Sequence, residues 1–488
     1  MAAQPTTRWQ VNGYRFLVRR MEHALVRRDV RMLHDPMRTQ SRALTVGAVL
    51  AVIGLAGCGA LALIRPQDKI GDAQIVVGKD SGAMFVMVED TLHPVLNLAS
   101  ARMIAGDAAT PVIVKESELG TRPRGALMGI PGAPSALPHG EPTAWTVCDS
   151  IASGGTKAIS TAVVAGDPEL GENISTLADG KALLVTGTDG TYLVYDGKRA
   201  RIDPGNRAVS LAFGLDGVEP RPVSPGLLAA IPEAPAISPP VIEGAGGLPG
   251  YSLQGKTVGS VVRVQDAQET KSYVVLRDGL QRISQATEDL IRYSDSQGSA
   301  GTDSVTPDVV SRAPQANDLA VSTFPAVVPE IVDIDSRPVS CLSWRPIGGA
   351  DESGGGLRAT VDVITGNAIP LPHGAEMVAL AQADGTGPNA DTAYLKPGSG
   401  GLVHTTGIDP SSERKGALFF VADTGVRYGV ENVETAKVLG FTDGSASAPW
   451  SIVGMLPPGP MLGREAAFLA HDGVAPDDQP VDVSPPSR

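Results

Sequence analysis

The feature that most constrains this chain is an uncharged, apolar stretch of 22 residues, 43–64, bracketed by Arg42 and Arg65. At a rise of 1.5 Å per residue, such a stretch forms a helix of roughly 33 Å, long enough to cross the hydrocarbon core of a bilayer. The 42 residues before it carry nine arginines and three acidic residues, which gives them a net charge of +6. The whole chain has a formal net charge of −13, so the residues after the stretch carry a net charge of −19. Because an excess of arginine marks the cytoplasmic side of a membrane helix, the sequence predicts a cytoplasmic N-terminus, one transmembrane helix, and residues 66–488 outside the cytoplasm.

A lipoprotein signal is the main alternative for the same stretch. The residues that end at Cys58 read Leu-Ala-Gly-Cys, which matches a bacterial lipobox. In that case Cys58 would carry lipid and everything before it would be removed. The apolar residues continue past Cys58 to Ile64, however, where a lipoprotein usually turns polar. The basic segment before the stretch is also longer than the n-region of an ordinary secretory signal. A membrane helix is therefore favoured, and a wall-binding lipoprotein stays as the weaker hypothesis.

The residues before the membrane helix predict an amphipathic helix. Asn12 can cap a helix that begins near Gly13. Its apolar positions recur with helical spacing on one face, which is typical of a helix with one buried side. The pattern fits two functions equally well, a basic helix on the inner leaflet or a docking helix for a partner protein. The predicted docking face consists of Tyr14, Leu17, Val18, Met21 and Leu25.

Internal repeats organise the remainder of the chain. Four segments share an aliphatic strand that ends in Asp, a turn, a second strand, and then an N-cap residue that starts a helix. The uneven spacing of these segments excludes a tight solenoid or propeller. The four strand segments are 84–90, 192–197, 273–279 and 418–423, and their predicted caps are Asn97, Asp203, Ser284 and Asn432.

The predicted fold class is α+β. A single transmembrane helix precedes an elongated extracytoplasmic domain of four small strand-turn-strand-helix repeats around a central region. The predicted divisions are a cytoplasmic basic amphipathic helix (1–42), the transmembrane helix (43–64), repeat 1 (65–135), a first part of the central region (136–180), repeat 2 (181–217), a Pro-rich extended connector (218–250), repeat 3 (251–300), the central-region insert (301–400), repeat 4 (401–474) and a disordered tail (475–488).

Cysteine usage fits the predicted topology. Beyond the membrane helix the sequence holds only Cys148 and Cys341. An even number of cysteines in an oxidising compartment favours one disulfide. Two free buried thiols are the alternative.

Short motifs along nearly the whole chain resemble those of the EccB family, membrane components of the type VII (ESX) secretion systems of mycobacteria and related actinobacteria. Each motif is short, but their order and spacing together are specific. The motifs are GYRF at 13–16, RRMEHA at 19–24 with RD at 28–29, RP at 65–66, LHPVLNL at 92–98 with SAR at 100–102, GIPGAP at 129–134, WTVCD at 145–149, GVRYG at 425–429 and LAHD at 469–472.

The resemblance implies a structural role in a secretion complex of the inner membrane. EccB-like proteins assemble with EccC, EccD and EccE, and EccC is the motor. They supply most of the periplasmic mass and form homodimers there. Their repeats resemble a phage cell-wall-binding subunit, which implies contact with peptidoglycan. The cysteine pair of the family falls on Cys148 and Cys341.

Signatures of enzymatic chemistry are weak. The sequence has no HExxH or GxSxG motif, its seven histidines lack metal-ligand spacing, and we predict no metal site and no cofactor. The net charge of −13 argues against nucleic-acid binding.

Residues 250–257 nevertheless match the P-loop pattern GxxxxGKT, through Gly250, Gly255, Lys256 and Thr257. A working P-loop follows a buried strand and opens a helix, whereas Gly and Pro interrupt the residues before this match, and β-branched residues follow it. We therefore expect a turn with Lys256 exposed. Because some members of the family are labelled ATPases, nucleotide hydrolysis is the alternative to a structural role.

Overall fold

A computed structural model describes residues 6–31, 36–64, 69–140, 142–152, 158–253, 255–265, 269–298, 301–347, 358–412, 416–442 and 444–474. It confirms the predicted α+β class, because one long apolar helix near the N-terminus precedes a β-rich region. The predicted tail, 475–488, lies outside the described residues.

The secondary structure of the described residues alternates short strands with short helices. The helices are α1 (Arg8–Arg27), α2 (Pro36–Ile64), α3 (Leu98–Ala105), α4 (Glu116–Leu119), α5 (Arg207–Phe213), α6 (Pro225–Ala230), α7 (Gln285–Ser294), α8 (Pro307–Arg312), α9 (Val433–Leu439), α10 (Trp450–Val453) and α11 (Arg464–Ala467). The strands are β1 (Ile75–Gly78), β2 (Met84–Val88), β3 (Thr91–Pro94), β4 (Val112–Val114), β5 (Leu127–Met128), β6 (Trp145–Ile151), β7 (Ile159–Ala165), β8 (Ile174–Thr176), β9 (Lys181–Gly187), β10 (Gly190–Tyr195), β11 (Lys198–Ile202), β12 (Arg221–Pro222), β13 (Glu233–Ile237), β14 (Val261–Gln265), β15 (Thr270–Val275), β16 (Leu280–Ile283), β17 (Asp303–Val305), β18 (Glu330–Ile331), β19 (Val339–Pro346), β20 (Ala359–Gly366), β21 (Val378–Ala379), β22 (Thr392–Tyr394), β23 (Gly400–Thr406), β24 (Leu418–Ala422), β25 (Arg427–Val430), β26 (Ala446–Pro449) and β27 (Ala470–His471).

The two N-terminal helices are longer than predicted. The first begins at Arg8 because Thr7 and Gln10 form a reciprocal capping box, so the predicted cap at Asn12 is wrong and that residue lies inside the helix. The second ends at Ile64, as predicted, but begins at Pro36. Its segment Thr39–Leu61 has a mean hydropathy of 2.2, and by length and composition it could span a membrane.

Four sheets in the β-rich region share one topology, and we call the units built on them Units 1 to 4. Three antiparallel strands are followed by a helix, a fourth strand that pairs parallel with the first, and a short second helix. The strand orders are β3-β2-β1-β4 in Unit 1, β11-β10-β9-β12 in Unit 2, β16-β15-β14-β17 in Unit 3 and β25-β24-β23-β26 in Unit 4. The shared topology supports the prediction of four repeats, each larger than the sequence pattern indicated.

The main helix of each unit starts at a side-chain cap. Asn97, Ser284 and Asn432 accept hydrogen bonds from backbone N–H groups at the predicted positions. In Unit 2 the cap is Asn206, and the predicted cap at Asp203 is wrong. Asp203 instead accepts from the Gly205 N–H in the preceding turn.

A seven-stranded sheet occupies the centre, in the order β21-β22-β7-β6-β19-β20-β8. Its strands come from both predicted parts of the central region, 136–180 and 301–400. One face shares a large hydrophobic core with strands of Units 2 and 4. Two parts of the predicted insert belong elsewhere, since β17 completes the sheet of Unit 3 and β18 pairs with β9 of Unit 2.

The Pro-rich segment 218–250 is not simply the extended connector that we predicted. It contains β12, α6 and β13, and β12 and β13 both join the sheet of Unit 2. Pro225 is compatible with this structure because it occupies the first turn of α6, where a backbone N–H has no helical acceptor.

The four units associate in nested pairs through their main helices. Helix α3 of Unit 1 packs against α9 of Unit 4, and the two units share one hydrophobic core. Helix α5 of Unit 2 packs against α7 of Unit 3 in the same way. Arg102 strengthens the first pair, because its guanidinium donates to the Leu439 carbonyl oxygen at the end of α9. The first and last units of the chain therefore lie side by side.

Candidate membrane and partner interface

The predicted docking face of α1 is exposed to solvent. The exposed fractions are 71% for Tyr14, 60% for Leu17, 62% for Met21 and 78% for Leu25, while Val18 is half-buried. The structure thus leaves this apolar face uncovered on a helix that precedes a membrane-spanning candidate.

A second apolar stripe on α1 was missed in the sequence. Trp9 and Phe16 are 86% and 53% exposed. At 100° per residue they lie roughly 110° around the helix from Leu17 and Met21, outside the predicted docking face. The missed signal was the capping box of Thr7 and Gln10, which places Trp9 inside the helix. The helix therefore exposes an apolar patch beyond the predicted docking face.

The predicted disulfide is confirmed. Cys148 and Cys341 are directly opposite each other on the adjacent strands β6 and β19, with their Cα atoms 4.0 Å apart and their sulfurs bonded. Both side chains are buried on a face of the central sheet that packs in a smaller hydrophobic cluster than the core shared with Units 2 and 4. Cys58, in the apolar helix α2, is a free and exposed thiol.

A buried carboxylate beside the disulfide ties the central sheet to Unit 2. Asp149 is fully buried and accepts hydrogen bonds from the Ser224 backbone N–H (2.6 Å), the Ser224 hydroxyl (2.8 Å) and the Thr161 hydroxyl (2.9 Å). Burial raises the pKa of Asp149 to about 6, the hydrogen bonds from Ser224 and Thr161 oppose this rise, and the nearby Asp391 charge adds to it. Ser224 also caps α6, so this network fixes that helix on the sheet. Asp149 therefore has a structural role, since it holds α6 of Unit 2 against the central sheet.

The P-loop-like segment has the wrong local structure for phosphate binding. After Thr257 the chain enters β14 at Val261 and not a helix, so the row of free helical N–H groups that cradles phosphates does not form. The expectation that Lys256 is exposed is wrong. Its side chain is only 17% exposed and its ammonium pairs with Asp303 on β17, so the lysine fastens the loop to the sheet of Unit 3.

Within the described ranges, no group of three or more His, Cys, Asp or Glu side chains could hold a metal ion. A cavity of about 650 Å³ opens between α3, α9 and α11, with Met103, Val438 and Phe468 among its apolar walls and Glu434 and Arg464 among its charged ones. The cavity follows from the packing of Units 1 and 4, and its acidic and basic groups face solvent.

Comparison with known proteins gives full-length matches. The chain matches the family described as type VII secretion system ESX-1, transport TM domain B, over residues 3–476. The ESX-3 secretion system ATPase EccB3 of Mycolicibacterium smegmatis is 40% identical over 482 residues, which cover 96% of this chain and 91% of the relative. The ESX-1 secretion system ATPase EccB1 of Mycobacterium tuberculosis is 35% identical over 490 residues, which cover 98% of each chain.

Two solved structures share the fold. A chain of an intact ESX-5 inner membrane complex is 33% identical, with a TM-score of 0.75 and 99% of both chains covered. A chain of the EccB3 dimer from the ESX-3 core complex is 36% identical, with a TM-score of 0.70, and the match covers 81% of this chain and 100% of that one.

Proposed function

We propose a function from one premise: the chain belongs to the EccB family of type VII secretion systems, as its sequence motifs predict. It acts as a non-enzymatic structural subunit of an inner-membrane secretion complex. It forms the periplasmic part of that complex and assembles with EccC, EccD and EccE. The observation that carries the proposal is the match along nearly its whole length to a subunit of a solved ESX-5 inner membrane complex.

Mild detergent extraction tests this proposal directly. The full chain, tagged at its N-terminus, should co-purify from its native membranes with EccC, EccD and EccE, identified by mass spectrometry. Recovery of the chain without any of the three would overturn the assignment to the complex.

The N-terminus lies in the cytoplasm and the β-rich region lies in the periplasm. The proposal rests on the net charge of +6 before the apolar stretch and the net charge of −19 after it. We expect protease added to spheroplasts to digest Units 1 to 4 and to spare a tag at the first residue, as measured by immunoblotting. The opposite pattern, with the tag digested and the units protected, would refute this topology.

The periplasmic region also forms a homodimer. The solved EccB3 relative, which is a dimer, supports this assignment. Contact with peptidoglycan through the four units is a further part of the proposal, and the resemblance of the repeats to a cell-wall-binding subunit supports it.

Helix α1 connects the chain to its neighbours on the cytoplasmic side. Its predicted docking face and its second apolar stripe support a combined role, in which Leu17 and Met21 contact a partner subunit while Trp9 and Phe16 contact the inner leaflet. Amphipathic helices bind the interface plane through such aromatic side chains. The two functions left open by the sequence pattern are then complementary.

Nucleotide hydrolysis is the alternative function, because the names of several relatives include the word ATPase. The ion pair between Lys256 and Asp303 and the strand that follows the loop argue against it. We expect the Lys256→Ala variant of the purified full-length chain to hydrolyse ATP at the same background rate as the wild type, measured by phosphate release. Lys396→Ala, a change at an exposed lysine outside the loop, serves as the control. A rate that fell with Lys256→Ala alone would establish the alternative.

A further inference from the structure

Two buried carboxylates lie close together where the central sheet packs against Unit 2. Asp149 on β6 is fully buried, and Asp391, immediately before β22, is 8% exposed. Thr161 on β7 joins them, because its backbone N–H donates to Asp391 at 2.8 Å and its hydroxyl donates to Asp149 at 2.9 Å. Asp391 also accepts from the backbone N–H groups of Asp384 and Gly385. Because like charges repel in a buried site, a state in which both carboxylates are ionised is costly.

No cation compensates the charge of Asp149 in the described part of the chain. Its donors at the start of α6 are the backbone N–H and the hydroxyl of Ser224, which are neutral groups. Within the described ranges, neither of the two carboxylates forms an ion pair. Arg221 on β12 is also buried and lies three residues before Ser224, but the opposite charge that acts on it is that of Asp333.

Strand β19 places an unpartnered hydroxyl beside the first carboxylate. Ser340 lies directly opposite Asp149 in the pairing of β19 with β6, so the two side chains share one face with their Cβ atoms about 5 Å apart. Ser340 is 2% exposed, and its hydroxyl makes no hydrogen bond. The ionised carboxylate already accepts three hydrogen bonds, whereas a neutral carboxyl group has a proton to donate. The Ser340 oxygen is therefore a suitable acceptor for a protonated Asp149.

We propose that Asp149 makes the contact between Unit 2 and the central sheet sensitive to pH. In mildly acidic surroundings its carboxyl takes up a proton from solvent, donates a hydrogen bond to the Ser340 hydroxyl oxygen, and contributes more to the stability of the fold than at neutral pH. This response goes beyond the proposed structural role and does not depend on it.

The direction of the response follows from the pKa of the group. Burial raises the pKa of Asp149 from 3.8 to about 6, the hydrogen bonds from Ser224 and Thr161 oppose this rise, and the charge of Asp391 adds to it. Because the pKa is higher in the folded chain than in the unfolded chain, folding takes up a proton between these two values. The resulting stabilisation is complete below the unfolded value and is lost as the pH rises through about 6.

Urea denaturation of the detergent-solubilised full chain at pH 7 and pH 5 tests the proposal. From pH 7 to pH 5 the folding equilibrium constant of the wild type should rise about tenfold more than that of Asp149→Asn, because asparagine does not titrate. The matched control is Asp216→Asn, a change at an exposed aspartate, which should keep the full response of the wild type. Equal responses of the wild type and Asp149→Asn would overturn the proposal.

A second variant and a direct measurement decide the question even where Asp149→Asn does not fold. Ser340→Ala removes the acceptor without adding a polar group, so the pH at which stability changes should fall by about 0.5. Infrared spectra of the folded wild type should show a protonated carboxyl band that grows as the pH falls through about 6, and the same band should grow at lower pH in Ser340→Ala. A wild type without such a band, or a Ser340→Ala variant that titrates as the wild type does, would contradict the proposal.

Discussion

The free energy of unfolding of the double variant Cys148→Ala/Cys341→Ala is expected to be lower than that of the wild type by up to about 5 kcal/mol. The two cysteines are 193 positions apart, and cross-linking so long a loop removes much conformational entropy from the unfolded chain. The bond also joins β6 to β19, the strands through which the two halves of the central sheet meet. Urea denaturation of the detergent-solubilised full chain, followed by circular dichroism, should show a lower midpoint for the variant.

Alanine is the appropriate replacement because a buried serine hydroxyl would add an unsatisfied polar group. Cys58→Ser is the control, since that thiol is exposed and free, and it should unfold with the wild-type midpoint. A wild-type midpoint for the double variant, or free thiols at both positions in non-reducing peptide maps, would contradict the stabilising role of the bond.

The variant Leu17→Asp/Met21→Asp is expected to remain in the membrane and to lose its partner subunits. Each of these side chains can contribute roughly 1.5–3 kcal/mol when an apolar partner covers it. Carboxylates placed in the same contact would add the cost of burying charge. The combined loss should reduce affinity by several orders of magnitude, so co-purification of EccC, EccD and EccE should disappear while α2 keeps the chain in the membrane fraction.

The matched control for this prediction exchanges the same two residues as Leu17→Met/Met21→Leu. That variant keeps the volume and apolar character of the stripe, so it should recover the partners at the wild-type level. Undiminished co-purification with the aspartate variant would show that this face of α1 does not carry the assembly.

The sequence could predict the elements with local signals. The uncharged stretch predicted the end of α2 at Ile64, and the spacing of Asp, turn and N-cap predicted β2, α3 and their counterparts in Units 3 and 4. In Unit 2 the same spacing predicted the strand but not the cap, which is Asn206. Where two local signals competed the prediction was wrong, since both Thr7 and Asn12 are good N-cap residues. The capping box formed with Gln10 decides in favour of Thr7.

Non-local pairing accounts for what the sequence could not predict. Strand β4 has three residues and forms only by parallel pairing with β1 across an intervening helix, so hydrophobic periodicity does not reveal it. The partner of Lys256 is hidden for the same reason, because Asp303 lies 47 positions further along the chain, on a strand added in parallel. The cysteine count was the one long-range signal, and it correctly joined the two parts of the central sheet.

The nested pairing of the units sets the order in which this chain can complete its fold. Arg102 and the carbonyl group it contacts at the end of α9 are 337 positions apart. Units 2 and 3 follow each other in the sequence, so they can pack together early during synthesis. Unit 1 is made first, and its packing partner, Unit 4, is made last. The side of α3 that packs against α9 therefore stays uncovered until nearly the whole polypeptide has been synthesised. In a polypeptide arrested before Unit 4, Unit 1 lacks its packing partner. The packing of the unit that directly follows α2 therefore depends on residues that the ribosome adds near the end of synthesis.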